Sequence, residues 1–163
     1  MKEKVYIDKI KEADKKAFLD IIDTKSVAET YMLPDFKSGA EIDALFEHFI
    51  KLSEDKSRFV YGIYADGGLV GFINDVEIKE SFVEIGYVVN PSYSGRGYAT
   101  EGVKQVIRKI FGAGYPTVRA GAFETNTASF RVMEKCGMKR IAYEDDIEYR
   151  GKTHHCIYYE IRA

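Results

Sequence analysis

The residues best suited to chemistry lie between Glu84 and Phe111. They read Glu84-Ile-Gly-Tyr-Val-Val-Asn-Pro-Ser-Tyr-Ser-Gly-Arg-Gly-Tyr-Ala-Thr100, followed by apolar residues at Val103, Val106, Ile107, Ile110 and Phe111. The later spacing predicts a helix, and the run before Asn90 predicts a strand. A strand, a glycine turn and a helix start in this order turn several backbone N–H groups and the positive end of a helix dipole on one point. The chemistry of such a point is anion binding, and a phosphate suits it. A Cβ at Gly95 or Gly97 would keep the main chain from approaching that anion. A Walker-type loop needs Gly-Lys followed by Ser or Thr, and no such run exists in this stretch. A dinucleotide fingerprint needs a third glycine where Thr100 stands, and its glycines sit tight against the strand, whereas Pro91 to Ser94 intervene here. Glu124, at the end of the following strand, is the one residue that could supply its acidic ribose ligand.

The remaining reactive side chains point less far. His154 and His155 are adjacent, so on a strand they face opposite ways and form no metal site by themselves. Cys136 and Cys156 are too few and too far apart for a disulfide framework or a zinc site, and read as buried small hydrophobes in a reducing compartment. Cys136 falls at a predicted helix C-terminus, which raises a thiol pKa and disfavours a nucleophile. The acidic run Glu144-Asp-Asp-Ile-Glu148 reads as a solvated face, or as a lure for a cationic partner.

Several elements must position these groups. Val5, Ile7 and Ile10 predict a short first strand, and Ala13, Ala17, Phe18, Ile21 and Ile22 a helix. A second short helix is expected through Tyr31, capped by Thr24 or Ser26. Pro34 and Gly39 break the chain before an amphipathic helix carrying Ile42, Leu45, Phe46, Phe49, Ile50 and Leu52. From Arg58 the period changes: Phe59 to Tyr64 and Leu69 to Ile73 flank Asp66-Gly67-Gly68, a hairpin signal, and a third strand runs from Phe82 to Asn90. Thr117 to Phe123 is a strand roughly parallel to it, because a helix lies between them. Asn126 to Cys136 is the last helix, capped by Asn126 or Thr125 and stopped by Gly137. Closing strands are expected over about Lys139 to Asp146 and His154 to Ile161. The fold class is α+β with a mixed sheet.

At 163 residues the chain suits one domain, 1–163. A net charge of −2 leaves no basic footprint, which argues against a dedicated nucleic-acid or anionic-membrane binder. No apolar run reaches membrane-span length, and Met1 to Ile10 lacks a signal-peptide core. The expectation is a soluble cytoplasmic protein without a metal.

Three motifs in order carry a resemblance: Glu84-Ile-Gly-Tyr-Val-Val-Asn-Pro, Ser-Gly-Arg-Gly-Tyr-Ala-Thr-Glu101, and Asn126-Thr-Ala-Ser129 with Glu134-Lys-Cys-Gly-Met138. Together they resemble the GNAT superfamily of acetyl-CoA-dependent N-acetyltransferases, and most of all its RimJ/RimL branch, which includes acetylases of ribosomal-protein N-termini. The resemblance implies an antiparallel meander joined to a splayed parallel strand pair, with helices on both faces. It implies that backbone groups from Gly95 through Arg96, Gly97, Tyr98 and Ala99 to Thr100 hold the pyrophosphate of acetyl-CoA as co-substrate, with Ser94 where the family usually has Gln or Arg. Arg96 adds charge there. Val88 and Val89 offer main-chain groups to the pantetheine arm, and a Val88 N–H polarises the thioester carbonyl. Asn126 is a helix cap and a pantetheine ligand.

The same resemblance supplies an acid and a base. An amine must lose its proton to become a nucleophile, so a carboxylate is the expected assistant. Glu84 matches a position where several superfamily members carry the base, and Glu148 matches the glutamate assigned that role in the RimL branch. The residues leave the two level. Many members use a helix tyrosine to protonate the departing thiolate, but Met133 stands at that place, and Ser129 matches the RimL-branch serine. The acceptor is an amine: a ribosomal-protein N-terminus, a polyamine or a small molecule. Homodimers are common in that branch, and a non-catalytic acyl-CoA-binding module is the alternative on the same fold.

Overall fold

The computed structural model describes residues 4–31, 33, 36 and 38–163, so the expected break at Pro34 lies outside the described residues. The period change at Arg58 marks the start of the sheet proper. Strands β2 (Tyr61–Ala65), β3 (Gly68–Ile78) and β4 (Val83–Val89) form the expected antiparallel meander. Asp66 and Gly67 turn the first hairpin with φ of 52° and 82°, the left-handed pair that a tight two-residue turn requires. Strand β1 (Tyr6–Asp8) adds an edge, and β5 (Thr117–Phe123), β6 (Lys139–Tyr149) and β7 (Lys152–Arg162) complete seven strands in the order β1-β2-β3-β4-β5-β7-β6.

Helices cover both faces. On one side α1 (Lys15–Ile22), α2 (Lys25–Thr30) and α3 (Gly39–Glu54) bury Phe18, Ile21, Phe46 and Phe49 against Phe72 and Val88. On the other, α4 (Tyr98–Gly112) and α5 (Thr127–Lys135) lay Val103, Val106, Ile110 and Met133 on Ile63, Ile73, Ile85 and Val118. Each face is the apolar stripe that the spacing predicts, and burial of such stripes is what holds these short helices in place.

The one parallel pairing matters most. β4 and β5 are in register only at Val83↔Val118, Glu84↔Arg119 and Ile85↔Ala120, although both strands run on past that point. The sheet therefore opens between the second halves of β4 and β5, as the resemblance implies.

The closing hairpin is longer than expected. Arg150 and Gly151 take φ of 53° and 76° and make a tight turn, so both strands extend to it and Glu148 lies within β6 opposite Thr153. Sequence reading placed Glu148 between the strands because Arg-Gly is a weaker turn signal than Asn-Gly. The same turn holds Gly151-Lys152-Thr153, a Gly-Lys-Thr tripeptide that leads into a strand and not into a helix, so it forms no phosphate loop.

A buried ion pair pins the start of the meander. Asp75, whose side chain is 2% exposed, accepts from Arg58 Nε at 2.9 Å and from the Phe59 N–H at 2.7 Å. Removing one partner strands the other's charge, so Arg58→Ala is expected to cost about 3 kcal/mol. Thermal denaturation should then show a midpoint lower by roughly 10 °C.

Candidate active site

Two cavities meet at the opening between β4 and β5. The first, about 400 Å³, runs along the glycine loop and α5 and is lined by Ser94, Gly95, Gly97, Tyr98, Ala99 and Thr100, with Val88 and Val89 from β4. The second, about 490 Å³, lies on the opposite face between β3–β7 and α2 and includes Tyr31, Glu84, Gly86, Phe123 and Tyr158. Thr30, Tyr87, Val88, Asn126 and Ser129 line both, so the two join through the sheet.

The glycine loop is built as an anion cradle. Gly95 and Gly97 take φ of 78° and 79°, and a Cβ at either would point into open space. Gly97 is the N-cap of α4, and no side chain caps this helix. The first backbone bond of the turn joins Glu101 N–H to the Gly97 carbonyl at 3.1 Å, so the N–H groups of Ala99 and Thr100, in the first turn, have no intrahelical acceptor. Uncapped donors, a positive dipole end and a groove that a side chain would fill fit a pyrophosphate. Ser94 lines the groove but its N–H is spent on the Pro91 carbonyl at 3.1 Å.

Arg96 is used differently from the expectation. Its guanidinium pairs with Asp66 at 2.9 Å and lies over the Tyr93 ring, outside the groove lining. Asp66 also accepts from the Tyr98 hydroxyl at 2.8 Å. One carboxylate on the β2–β3 turn thus anchors the loop at both ends, and positive charge in the groove comes instead from Arg131 and Lys135 of α5. Neither pairs with a carboxylate among the described residues. Sequence reading missed these two, although their i, i+4 spacing behind the Asn126 cap was a usable signal.

At the junction, Asn126 caps α5 by accepting from the Ser129 N–H at 3.3 Å, as the cap reading expects. Ser129 Oγ and the Ser129 carbonyl both lie 2.9 Å from the Tyr87 hydroxyl. With the phenol proton directed to the carbonyl, the serine proton is donated to the phenol oxygen, so serine and tyrosine form one hydroxyl pair. Burial pushes the Tyr87 phenol up, with Ser129 opposing through its hydrogen bond. Met133 is fully buried core, in line with its inability to act as an acid.

The two candidate bases part company. Glu84 lines the second cavity and makes no hydrogen bond or ion pair among the described residues. Burial raises its carboxyl above the usual range, Arg119 opposes this, and Glu77 adds to it. Arg119 is itself held by Glu160 at 2.7 Å. Glu148 is exposed, hydrogen-bonded by Thr153, and lines neither cavity.

Both histidines follow the alternation. His154 stacks on Phe123 at 4.2 Å, and His155, on the other face, pairs with Asp146 at 2.7 Å and Glu144 at 3.4 Å. Burial pushes the Cys136 and Cys156 thiols up to about 11, which leaves both protonated at neutral pH. Among the described residues no group of His, Cys, Asp and Glu is arranged to hold a metal ion, and no helix is long and apolar enough to cross a membrane.

The sheet is opened between its parallel strands, with the glycine-loop groove on one side and a cavity carrying a carboxylate on the other. The chain belongs to the acetyltransferase (GNAT) domain family, whose profile matches residues 4–139. It is similar to the uncharacterized N-acetyltransferase YoaA of Bacillus subtilis (strain 168), with 25% identity over 93% of this chain and 88% of the relative. Among solved structures, a GNAT-family acetyltransferase from Bacillus anthracis superposes with a TM-score of 0.80 at 26% identity, covering 99% of this chain and 96% of the other. RimL, the ribosomal L7/L12 alpha-N-protein acetyltransferase in complex with coenzyme A, shares the fold with a TM-score of 0.81 at 17% identity, covering 97% of this chain and 93% of the other.

Proposed function

We propose that residues 1–163 form one catalytic domain of an N-acetyltransferase that moves an acetyl group from acetyl-CoA directly to a primary amine. The observation that carries this reading is the union of the two cavities through the β4/β5 opening, with the uncapped α4 N-terminus at one end and Glu84 at the other. Bound acetyl-CoA supplies an acetyl group activated as a thioester. The main chain from Gly95 to Thr100 holds its pyrophosphate, with Arg131 and Lys135 nearby and Asn126 beside the pantetheine arm. Val89 presents the free edge of β4 to that arm, and its N–H, not that of Val88, which is turned to Phe72 of β3, is the one that can face the carbonyl oxygen on which negative charge develops.

Glu84 takes the proton from the incoming ammonium, either directly or through one water, leaving the nitrogen lone pair free to attack. Its raised pKa makes it a stronger base than an ordinary carboxylate. The Ser129–Tyr87 hydroxyl pair, which lines both cavities, gives up one of its internal hydrogen bonds to donate a proton to the departing thiolate, and the second proton lost by the amine nitrogen as the tetrahedral adduct collapses restores it. The fold kinship with RimL and the motif resemblance favour the RimJ/RimL branch. The test is direct: acetyl-CoA should raise the melting temperature, and a panel of amines should release free thiol with acetylated products identified by mass spectrometry. No thermal shift at millimolar acetyl-CoA would count against the reading. Cofactor binding without thiol release for any amine would favour the non-catalytic module, which the absent helix tyrosine at Met133 keeps as the second reading.

A further inference from the structure

The second cavity carries more than a base. Tyr158 is 7% exposed, lines this cavity, and its hydroxyl has no hydrogen-bond partner among the described residues. Its ring is fixed in place: a Cβ on Gly121 would come within 2.5 Å of the Tyr158 ring carbons, and Tyr143 packs on it with centroids 5.0 Å apart. Glu84 faces the same cavity, also without a partner, and the two do not hydrogen-bond to each other. A buried phenol and a half-buried carboxylate that line one cavity leave a place for a group that gives and takes hydrogen bonds at a single point.

Away from the junction residues Tyr87, Asn126 and Ser129, the other described polar side chains of the lining are already committed. Asp75 is neutralised by Arg58, Tyr31 and Asn74 hydrogen-bond to each other, and the Thr30 hydroxyl donates to the Ser26 carbonyl at 2.8 Å. Among the described residues Glu84 is therefore the one unneutralised carboxylate in the lining. The remaining wall is apolar or aromatic: Val76, Val88, Phe123, Ile147, and the faces of Tyr31 and Tyr158. On the elements that bring Thr30 and Ile147 to the lining, the Tyr149 hydroxyl sits 2.5 Å from the Ala28 carbonyl and 3.1 Å from Leu33 N, which straps the end of α2 to the closing hairpin.

The geometry points to an acceptor with one positive charge on a compact apolar or aromatic body, its amine nitrogen seated between Glu84 and Tyr158. A polyamine would leave its second ammonium against apolar walls, which is costly. A polypeptide N-terminus would bring the N–H and C=O groups that follow it against the same apolar walls, which is costly as well. This inference rests on the transferase reading above and refines its acceptor.

The test begins with calorimetric titration of acetyl-CoA, which probes the underlying reading alone. Thiol release is then measured with 2-phenylethylamine and hexylamine, with spermidine, and with a short unblocked peptide. The monoamines should show kcat/KM at least about tenfold above the others. Tyr158→Phe should raise the monoamine KM by about tenfold, with kcat, acetyl-CoA affinity and melting temperature held. If acetyl-CoA binds but spermidine or the peptide is preferred, or no monoamine turns over, or Tyr158→Phe leaves KM unchanged, the acceptor assignment falls while the donor assignment stands. If acetyl-CoA does not bind, both fall.

Discussion

Gly97→Glu is expected to remove acetyl-CoA binding, with a loss of at least about 100-fold in affinity. Two effects add. The residue sits at φ +79°, where any side chain costs about 1–2 kcal/mol, and its Cβ would project into the groove with a negative charge behind it. That charge meets the pyrophosphate at the end of α4 that otherwise favours anions. The measurement is thermal stability with and without acetyl-CoA. At a hundredfold excess over the wild-type dissociation constant the wild-type protein gains about 2.7 kcal/mol, and the variant should gain no more than about 0.4 kcal/mol. Gly97→Ala separates the causes, since it carries the backbone strain without the charge and should keep part of the gain. An undiminished gain in Gly97→Glu would move the phosphate site elsewhere.

Glu84→Gln is expected to lower kcat by about 10²- to 10⁴-fold, the usual worth of a positioned base. The base must be ionised, so wild-type activity falls as pH drops through the carboxyl's raised pKa, at a higher pH than an ordinary glutamate would give. The variant should lose that acidic limb, and Glu148→Gln should retain both the limb and the rate. The stability effect has the opposite sign. A carboxyl with a raised folded pKa stabilises the fold when protonated, and this contribution is lost as pH rises through the folded pKa. At neutral pH the ionised Glu84 therefore weakens the fold, and Glu84→Gln should melt no lower than wild type, with its advantage fading on acidification. A variant that kept both limb and rate would exclude Glu84 as base.

Much of this was legible in the residues because periodicity and glycine are strong local signals. The glycine loop, the helix behind it and the Thr117–Phe123 strand read correctly from spacing alone, since each is set by its own neighbours. The destination of Arg96 was not legible: Asp66 lies thirty residues away and meets it only because a tight turn brings the β2–β3 hairpin beneath the loop. Glu84 and Glu148 could not be ranked either, because their difference is burial, and burial at those positions is decided by how β4 parts from β5 and how far the closing hairpin extends. Tyr31, Asn74 and Tyr158 gave no signal at all. Their roles come from three separate elements facing one cavity.

The strap through Tyr149 also sets an order of events. Its hydroxyl joins residues 121 and 116 positions earlier in the chain, among the most remote side-chain contacts in the molecule. β7, which pairs with both β5 and β6, follows both of them in the chain. The helical end of the strap is thus made early and waits, undocked, for the hairpin that joins it. Contacts of such high sequence separation pay their loop-closure entropy late in folding. A nascent chain can form the glycine loop long before the second cavity has its β6 and β7 walls, and the two cavities mature at different times.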